Sequence, residues 1–286
     1  MSTDIARLND LDAVPTLRER LARLSWAEYL ALGFVAVLIV ATVAPQLLAP
    51  YSPLDPDEAN VLVAPSLIHP FGTDYLGRDL LSRVIYGTSR TFFGSAVAVL
   101  IGLGAGTVLG LLAANFGGWV DAVISRVIDV LLSIPGLLLA MMIVVSLGFG
   151  SLNAAVAVGV SSVAMFTRVM RSEVLAVKNL PFVEASHHLG AKRLAVLLGH
   201  VLPNSYTAVL SLTALQFGNA ILWISALSFL GYGAPPPQPE WGLLVSEGRD
   251  YIVSSPWLVL LPGLVITLAV VAISKVSQIV KERFSR

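Results

Sequence analysis

The sequence predicts an all-α integral membrane protein that crosses the bilayer six times. Composition, the spacing of apolar runs and the placement of charge carry that expectation. Of 286 residues, 56% are hydrophobic and only 13% charged, and the mean hydropathy is +0.81. A water-soluble chain of this length carries about a quarter charged residues, whereas lipid tolerates an apolar exterior. Lys plus Arg and Asp plus Glu both number 18, so net charge gives no sign of nucleic-acid binding. The chain has no cysteine. Disulfides, thiolate metal sites and cysteine nucleophiles are excluded, and the compartment stays open.

Residues 1–28 form a polar N-terminal tail. Asp4, Arg7, Asp10, Asp12, Arg18, Glu19, Arg20 and Arg23 precede the first apolar run, so it is not a cleavable signal. Basic and apolar residues alternate from Thr16 and end in Trp26 and Tyr29, a pattern that fits an interfacial helix or a disordered tail. The run at 29–48 is long enough to span. Residues 49–91 are polar and carry Pro53, Pro56, Pro65 and Pro70. Within them a short amphipathic helix is expected outside the bundle, with Asp79 and Arg83 four apart as a pair and Leu80, Leu81, Val84 and Ile85 as its apolar stripe.

Five further spans fill residues 92–274. In the second, at about 92–116, Gly102, Gly106 and Gly110 recur on one helical face, a device for close helix packing. The third, at about 123–147, carries Arg126 and Asp129 as an expected pair and should kink or unwind at Pro135. The fourth covers about 152–169. The fifth, at about 206–230, presents Gln216 and Asn219 on one face, candidates for a translocation path or for helix–helix hydrogen bonds. A Pro-rich loop with Pro235, Pro236 and Pro237 leads to the sixth span at about 257–274. Residues 275–286 form a basic C-terminal tail.

Six crossings put both termini on one side. With the N-terminus inside, that side receives Arg7, Arg18, Arg20, Arg23, Arg126, Arg168, Arg171, Lys178, Lys192, Arg193, Lys275, Lys281, Arg283 and Arg286, fourteen cations. The other side holds four: Arg78, Arg83, Arg90 and Arg249. Positive charge favours the cytoplasmic side, which makes the polar island at 171–204 cytoplasmic.

An ion-coupled carrier, an ATP-driven permease and a non-transporting scaffold remain as classes. A carrier usually needs an ionisable or unwound site near mid-membrane, and the middle of every expected span lacks Asp, Glu, Lys and His. Backbone, Ser, Asn or Gln ligands for sodium stay open. No lysine follows a glycine, so the chain has no phosphate-cradling Walker loop. If ATP drives it, another subunit binds the nucleotide.

The island contains Pro181–Asn204, PFVEASHHLGAKRLAVLLGHVLPN. Asn179 suits a helix N-cap and Pro181 a first turn. Phe182, Ala185 and Leu189 share one face. Gly190 permits a bend. Leu194, Leu197, Leu198 and Val201 give the stripe of a second short helix that Leu202-Pro203-Asn204 would end. Spacing alone fits a compact knob or an amphipathic loop on the headgroups.

Residue identities go further. Glu184-Ala185-Ser186, Gly190-Ala191 and His200-Val201-Leu202-Pro203-Asn204 resemble the EAA loop of binding-protein-dependent ABC importer permeases. Ser186 stands where alanine is common. His69–Thr91, Val123–Ala140 and Ala226–Ile252 are similar to motifs of the dipeptide, oligopeptide and nickel branch; Ala272–Phe284 departs from that branch's C-terminal pattern. The resemblance implies a type I ABC importer permease fold and the C-type partner of a permease heterodimer. It implies a second permease subunit, two ATPase subunits that bind ATP and magnesium, an extracytoplasmic binding protein and surrounding lipid as partners. This chain would bind no cofactor, metal or nucleic acid and have no catalytic residue.

By the same resemblance, Glu184 would contact an ATPase arginine, Gly190 would set the bend, and His200, Pro203 and Asn204 would brace the second helix. Pro235, Pro236, Pro237, Glu240 and Trp241 would face the binding protein. Peptides are the first substrate class expected, with nickel chelates, glutathione, opines and oligosaccharides as alternatives.

Overall fold

Ser25 starts the first span. Its hydroxyl accepts the Glu28 amide while the Glu28 carboxylate accepts the Ser25 amide, a reciprocal capping box. The computed structural model describes residues 25–284, so most of the expected interfacial helix, and five of the cations in the charge count, lie outside the described residues. Helix α1 (Trp26–Val43) ends five residues short of the expected boundary, because Pro45 disfavours helical geometry at Ala44, which is non-helical.

The largest departure from expectation is α2, one unbroken helix from Leu80 to Phe116. It replaces the separate amphipathic helix and second span. At 37 residues it is about 55 Å long, so its first turns project beyond a hydrocarbon layer of about 30 Å. Asp79 caps it, accepting the Ser82 amide at 2.7 Å. Gly87, an apparent breaker, is where an indole packs: a β-carbon there would lie 3.2 Å from Cδ1 of Trp241.

After Gly117, α3 (Gly118–Ser133) and α4 (Gly136–Leu147) form one broken crossing bent by 96°. The break falls at Ile134-Pro135, where kinking or unwinding is expected. Helix α5 (Ser151–Lys178) is the centre of the bundle. The glycine ladder of α2 closes on it: β-carbons at Gly102, Gly106 and Gly110 would lie 2.1 Å from Ser162, 2.4 Å from Phe166 and 2.7 Å from Met170. The periodic glycines let the two backbones meet.

A short helix α6 (Pro181–His188) leads through Gly190 to α7 (Arg193–Val196). A π-turn (Leu197–Val201) joins α7 to α8 (Leu202–Phe229). At the opposite end lies α9 (Trp241–Gly248), and α10 (Trp257–Phe284) closes the described chain. The expected C-terminal tail from Lys275 to Phe284 is therefore a continuation of the last helix. Five single helices and the bent pair are long and apolar enough for six crossings, which makes this a multi-pass membrane protein.

Two expected ion pairs do not form. The Asp79 carboxylate is engaged by the Ser82 amide and by His69 at 2.9 Å, while Arg83 reaches elsewhere. Asp129 bonds Arg168 at 2.8 Å rather than Arg126, and Asp121 receives Arg171 through two bonds of 2.5 and 2.7 Å. The pairs that form tie α3 to α5. Spacing on one helix cannot reveal a partner on another.

Candidate functional site

The island is built outward from the end of α5. Asn179 proves to be the C-cap of α5 rather than the N-cap of the next helix. The Leu180 carbonyl instead accepts the amides of Val183 and Glu184 and starts α6, with Pro181 in its first turn as expected. Ser186 folds back on the Phe182 carbonyl at 2.8 Å. At the far end, the Leu189 and Ala191 amides bond the carbonyls of Ala185 and Ser186. Gly190 between them has φ +83°, the left-handed geometry that favours glycine at a helix terminus.

The buried face is not the expected one. Val183 is fully buried, packing with Val196 and Val201 into the main core. The set expected to share a face, Phe182, Ala185 and Leu189, points outward, Leu189 being 88% exposed. Leu194 and Leu198 are exposed too, while Leu197 is half-buried. Three valines thus hold the knob, and a cluster of large apolar side chains is left on its surface. Exposed apolar patches rimmed by polar residues mark interaction sites. Glu184 and Ala191 are exposed in the same segment, and the Glu184 carboxylate pairs with no described side chain.

Leu202-Pro203-Asn204 does not end the second helix as expected. Pro203 has no amide, and its ring crowds the carbonyl four residues back. The preceding turn widens so that the Leu202 amide bonds Leu197, five residues back. Asn204 donates its side-chain amide to the His200 carbonyl at 2.6 Å, and Ser205 bonds the Val201 carbonyl. The helix continues into α8, so α7, the π-turn and the fifth span are one shaft. The His200 ring stands edge-on to Phe182 at 6.4 Å, linking the shaft to α6 across the Gly190 bend. The knob and α8 are thereby in continuous contact.

Along α8, the Asn219 side-chain amide donates to Gln216 at 2.8 Å. Both face a cavity of about 10 Å³ lined also by Val99, Val158, Ser162 and Trp223, room for about one water. The two side chains are joined to each other inside this chain's own bundle.

The proline loop divides in two. Pro235, Pro236 and Pro237 are exposed, but Glu240 and Trp241 are buried, so neither offers a surface to a partner. Trp241 donates its indole N–H to the Val84 carbonyl at 3.0 Å and packs edge-on to Phe92. Glu240 caps α9, accepting the Gly242 and Leu243 amides and the Thr91 hydroxyl. Burial raises its carboxyl above the ordinary 4.5, opposed by hydrogen bonds from Ser228, the two amides and Thr91. A raised folded-state pKa gives stability that is full below 4.5 and lost as pH rises through the folded value. Wild type is therefore expected to gain thermal stability relative to Glu240→Gln as pH is lowered from neutral. Unfolding midpoints across pH check this, and parallel profiles would contradict it.

A charged cluster that the sequence reading missed pins α9 to α2. Asp74 accepts Arg78 Nε at 2.7 Å and Arg83 Nη1 at 2.6 Å, and Arg83 Nη2 reaches Glu247 at 2.9 Å. Tyr75 donates to Glu247 at 3.3 Å. Arg78 and Arg83 are almost wholly buried. The Asp74–Arg78 spacing is readable in sequence, but Glu247 lies 164 residues from Arg83 and no local signal connects them.

Comparison with known proteins bears on the family and the fold. A family model described as "Binding-protein-dependent transport system inner membrane component" matches residues 106–286. The chain is 37% identical over 276 residues to the glutathione transport system permease protein GsiD of Pectobacterium atrosepticum, covering 92% of this chain and 91% of that one. It is 38% identical over 267 residues to the dipeptide transport system permease protein DppC of Alkalihalophilus pseudofirmus, covering 92% and 88%. Among solved structures, a chain of the MetNI methionine ABC transporter in inward-facing conformations superposes with a TM-score of 0.60 at 16% identity, covering 71% of this chain and 97% of that one. A chain of an amino acid ABC transporter with histidines gives 0.58 at 17%, covering 71% and 94%. The fold is that of a type I ABC importer permease.

Proposed function

Because the chain belongs to the family of binding-protein-dependent transport system inner membrane components, we propose that it is a permease subunit through which separate ATPase subunits drive import of di- and oligopeptides. The exposed apolar surface of the knob, joined rigidly to a membrane-spanning shaft, is the observation that carries this reading. A second permease subunit completes the pathway, two ATPase subunits engage the knobs, and an extracytoplasmic binding protein delivers substrate. The charge bias supports a cytoplasmic position for the knob and both termini in a bacterial inner-membrane protein.

ATP and magnesium belong to the partner subunits, since this sequence has no phosphate loop. Closure of the ATPases would move α6 and α7, and the continuous helix would carry that motion into α8. ATP and substrate then bias one two-state bundle, with a coupling energy of about 1–3 kcal/mol per linked event. Glu184, exposed on α6, would meet an arginine of the ATPase by a charge-assisted contact. Gln216 and Asn219 remain candidates for the path, reached once the helices separate.

Peptides are favoured because relatives of similar identity are named for dipeptide and for glutathione transport. Glutathione, itself a peptide, is the second reading. The purified chain alone is expected to hydrolyse no ATP. Its complex is expected to do so, stimulated by binding protein loaded with dipeptide, longer peptide or glutathione. Turnover by the isolated chain, or stimulation by nickel alone, would contradict the proposal.

A further inference from the structure

A second surface feature lies at the opposite end from the knob, between the end of α1 and the outer face of α2. It is a cleft of about 460 Å³ lined by Pro45, Tyr86, Ser89, Arg90, Phe93 and Gln238, among others, none of them acidic. Arg78 and Arg83 at this end are buried on carboxylates, and Arg249 lies 3.4 Å from Asp250. Arg90 meets instead the neutral side-chain carbonyl of Gln238, at 3.0 Å. Its charge is exposed in a cleft that Tyr86 and Ser89 also line.

Depth identifies the occupant. Helix α1 has 18 residues, about 27 Å, nearly the thickness of the hydrocarbon layer. Pro45, two residues past its end, lines the cleft, so the cleft lies at headgroup level. Arg90 is also the last charged residue before the uncharged stretch 91–116. Beneath it, Phe93 (66% exposed), Leu100 and Val108 continue an outward apolar stripe toward the middle of the membrane. A side chain added at Gly104, on the same stripe, would meet nothing within 4 Å.

We propose that this cleft binds the headgroup of an anionic phospholipid in the leaflet opposite the knob. The phosphate sits on Arg90, with Tyr86 and Ser89 as further donors, and the acyl chains lie along Phe93, Leu100 and Val108. Charge above an apolar track matches an amphiphile, whereas a free anion would need no track. Arg90 also holds Gln238, so a bound lipid would steady the proline loop at its base.

The test is native mass spectrometry of the chain purified with its accompanying subunits, exchanged into phosphatidylglycerol or phosphatidylcholine. Wild type is expected to retain phosphatidylglycerol in preference to phosphatidylcholine, undisturbed by added dipeptide or inorganic phosphate. Arg90→Gln should weaken retention by about tenfold, the scale of one lost charge-assisted contact. Arg90→Lys should keep part of it, and Arg249→Gln all of it. Phe93→Asp, which spares the Gln238 bond, should also weaken it. Retention unchanged in both Arg90→Gln and Phe93→Asp would overturn the proposal. So would displacement by dipeptide, which would assign the cleft to substrate, or equal retention of the two lipids.

Discussion

Replacing Gly190 with aspartate is expected to cut peptide uptake by at least about tenfold, the factor that accompanies about 1.4 kcal/mol of lost contact, with the chain still inserted in the membrane. A β-carbon at Gly190 would meet nothing within 4 Å, so no packing is disturbed inside the chain. The φ of +83° is one that Asn and Asp adopt more readily than other side chains. The damage therefore falls on the surface offered to the ATPase, where aspartate adds a charge beside an apolar patch. Gly190→Asn keeps the backbone preference without the charge and should retain most uptake. Gly190→Val, whose branched side chain resists this φ, should lose both uptake and the bend. Uptake assays paired with membrane fractionation decide among these, and wild-type uptake by Gly190→Asp would count against docking at this bend.

The second large effect lies at the opposite end. Arg83 is fully buried and joins Asp74 to Glu247. Arg83→Met leaves Glu247 without its closest cation and should destabilise the chain by about 3–5 kcal/mol, the cost of breaking a buried ion pair from one side. Adding Glu247→Leu removes the stranded charge and leaves Asp74 bound to Arg78 at 2.7 Å, so the double variant should recover much of the loss. Thermal unfolding of the detergent-purified proteins measures both. A double variant no more stable than Arg83→Met would show that α9 is held by the pair itself rather than by apolar packing around Trp241.

The six crossings, the Pro135 break, the glycine ladder and the Gly190 bend were legible because each rests on a local rule of length, spacing or backbone freedom. The unbroken α2 was not, since the indole that fills the space at Gly87 comes from Trp241, far along the chain. Asp79 and Arg83 had pairing distance but not pairing geometry: a carboxylate at an N-cap turns to the amides of its own helix. On the island, periodicity grouped Phe182, Ala185 and Leu189 correctly as one face yet could not say which way it pointed. In a subunit made to dock, an apolar face can be the exposed one, and the hold falls to Val183, Val196 and Val201. Glu240 and Trp241 misled for a related reason, because a polar, proline-rich context does not reveal that two of its residues plug the bundle.

The central claim is that the knob is where an external ATPase acts, and the absence of cysteine makes it directly testable. A single cysteine at Leu189→Cys, on the knob, is compared with one at Val253→Cys, 96% exposed at the opposite end, by crosslinking in native membranes. Leu189→Cys is expected to crosslink to an ATPase subunit and Val253→Cys to none. An ATPase crosslink from Val253→Cys, or its absence from Leu189→Cys in a complex that still imports, would contradict the account.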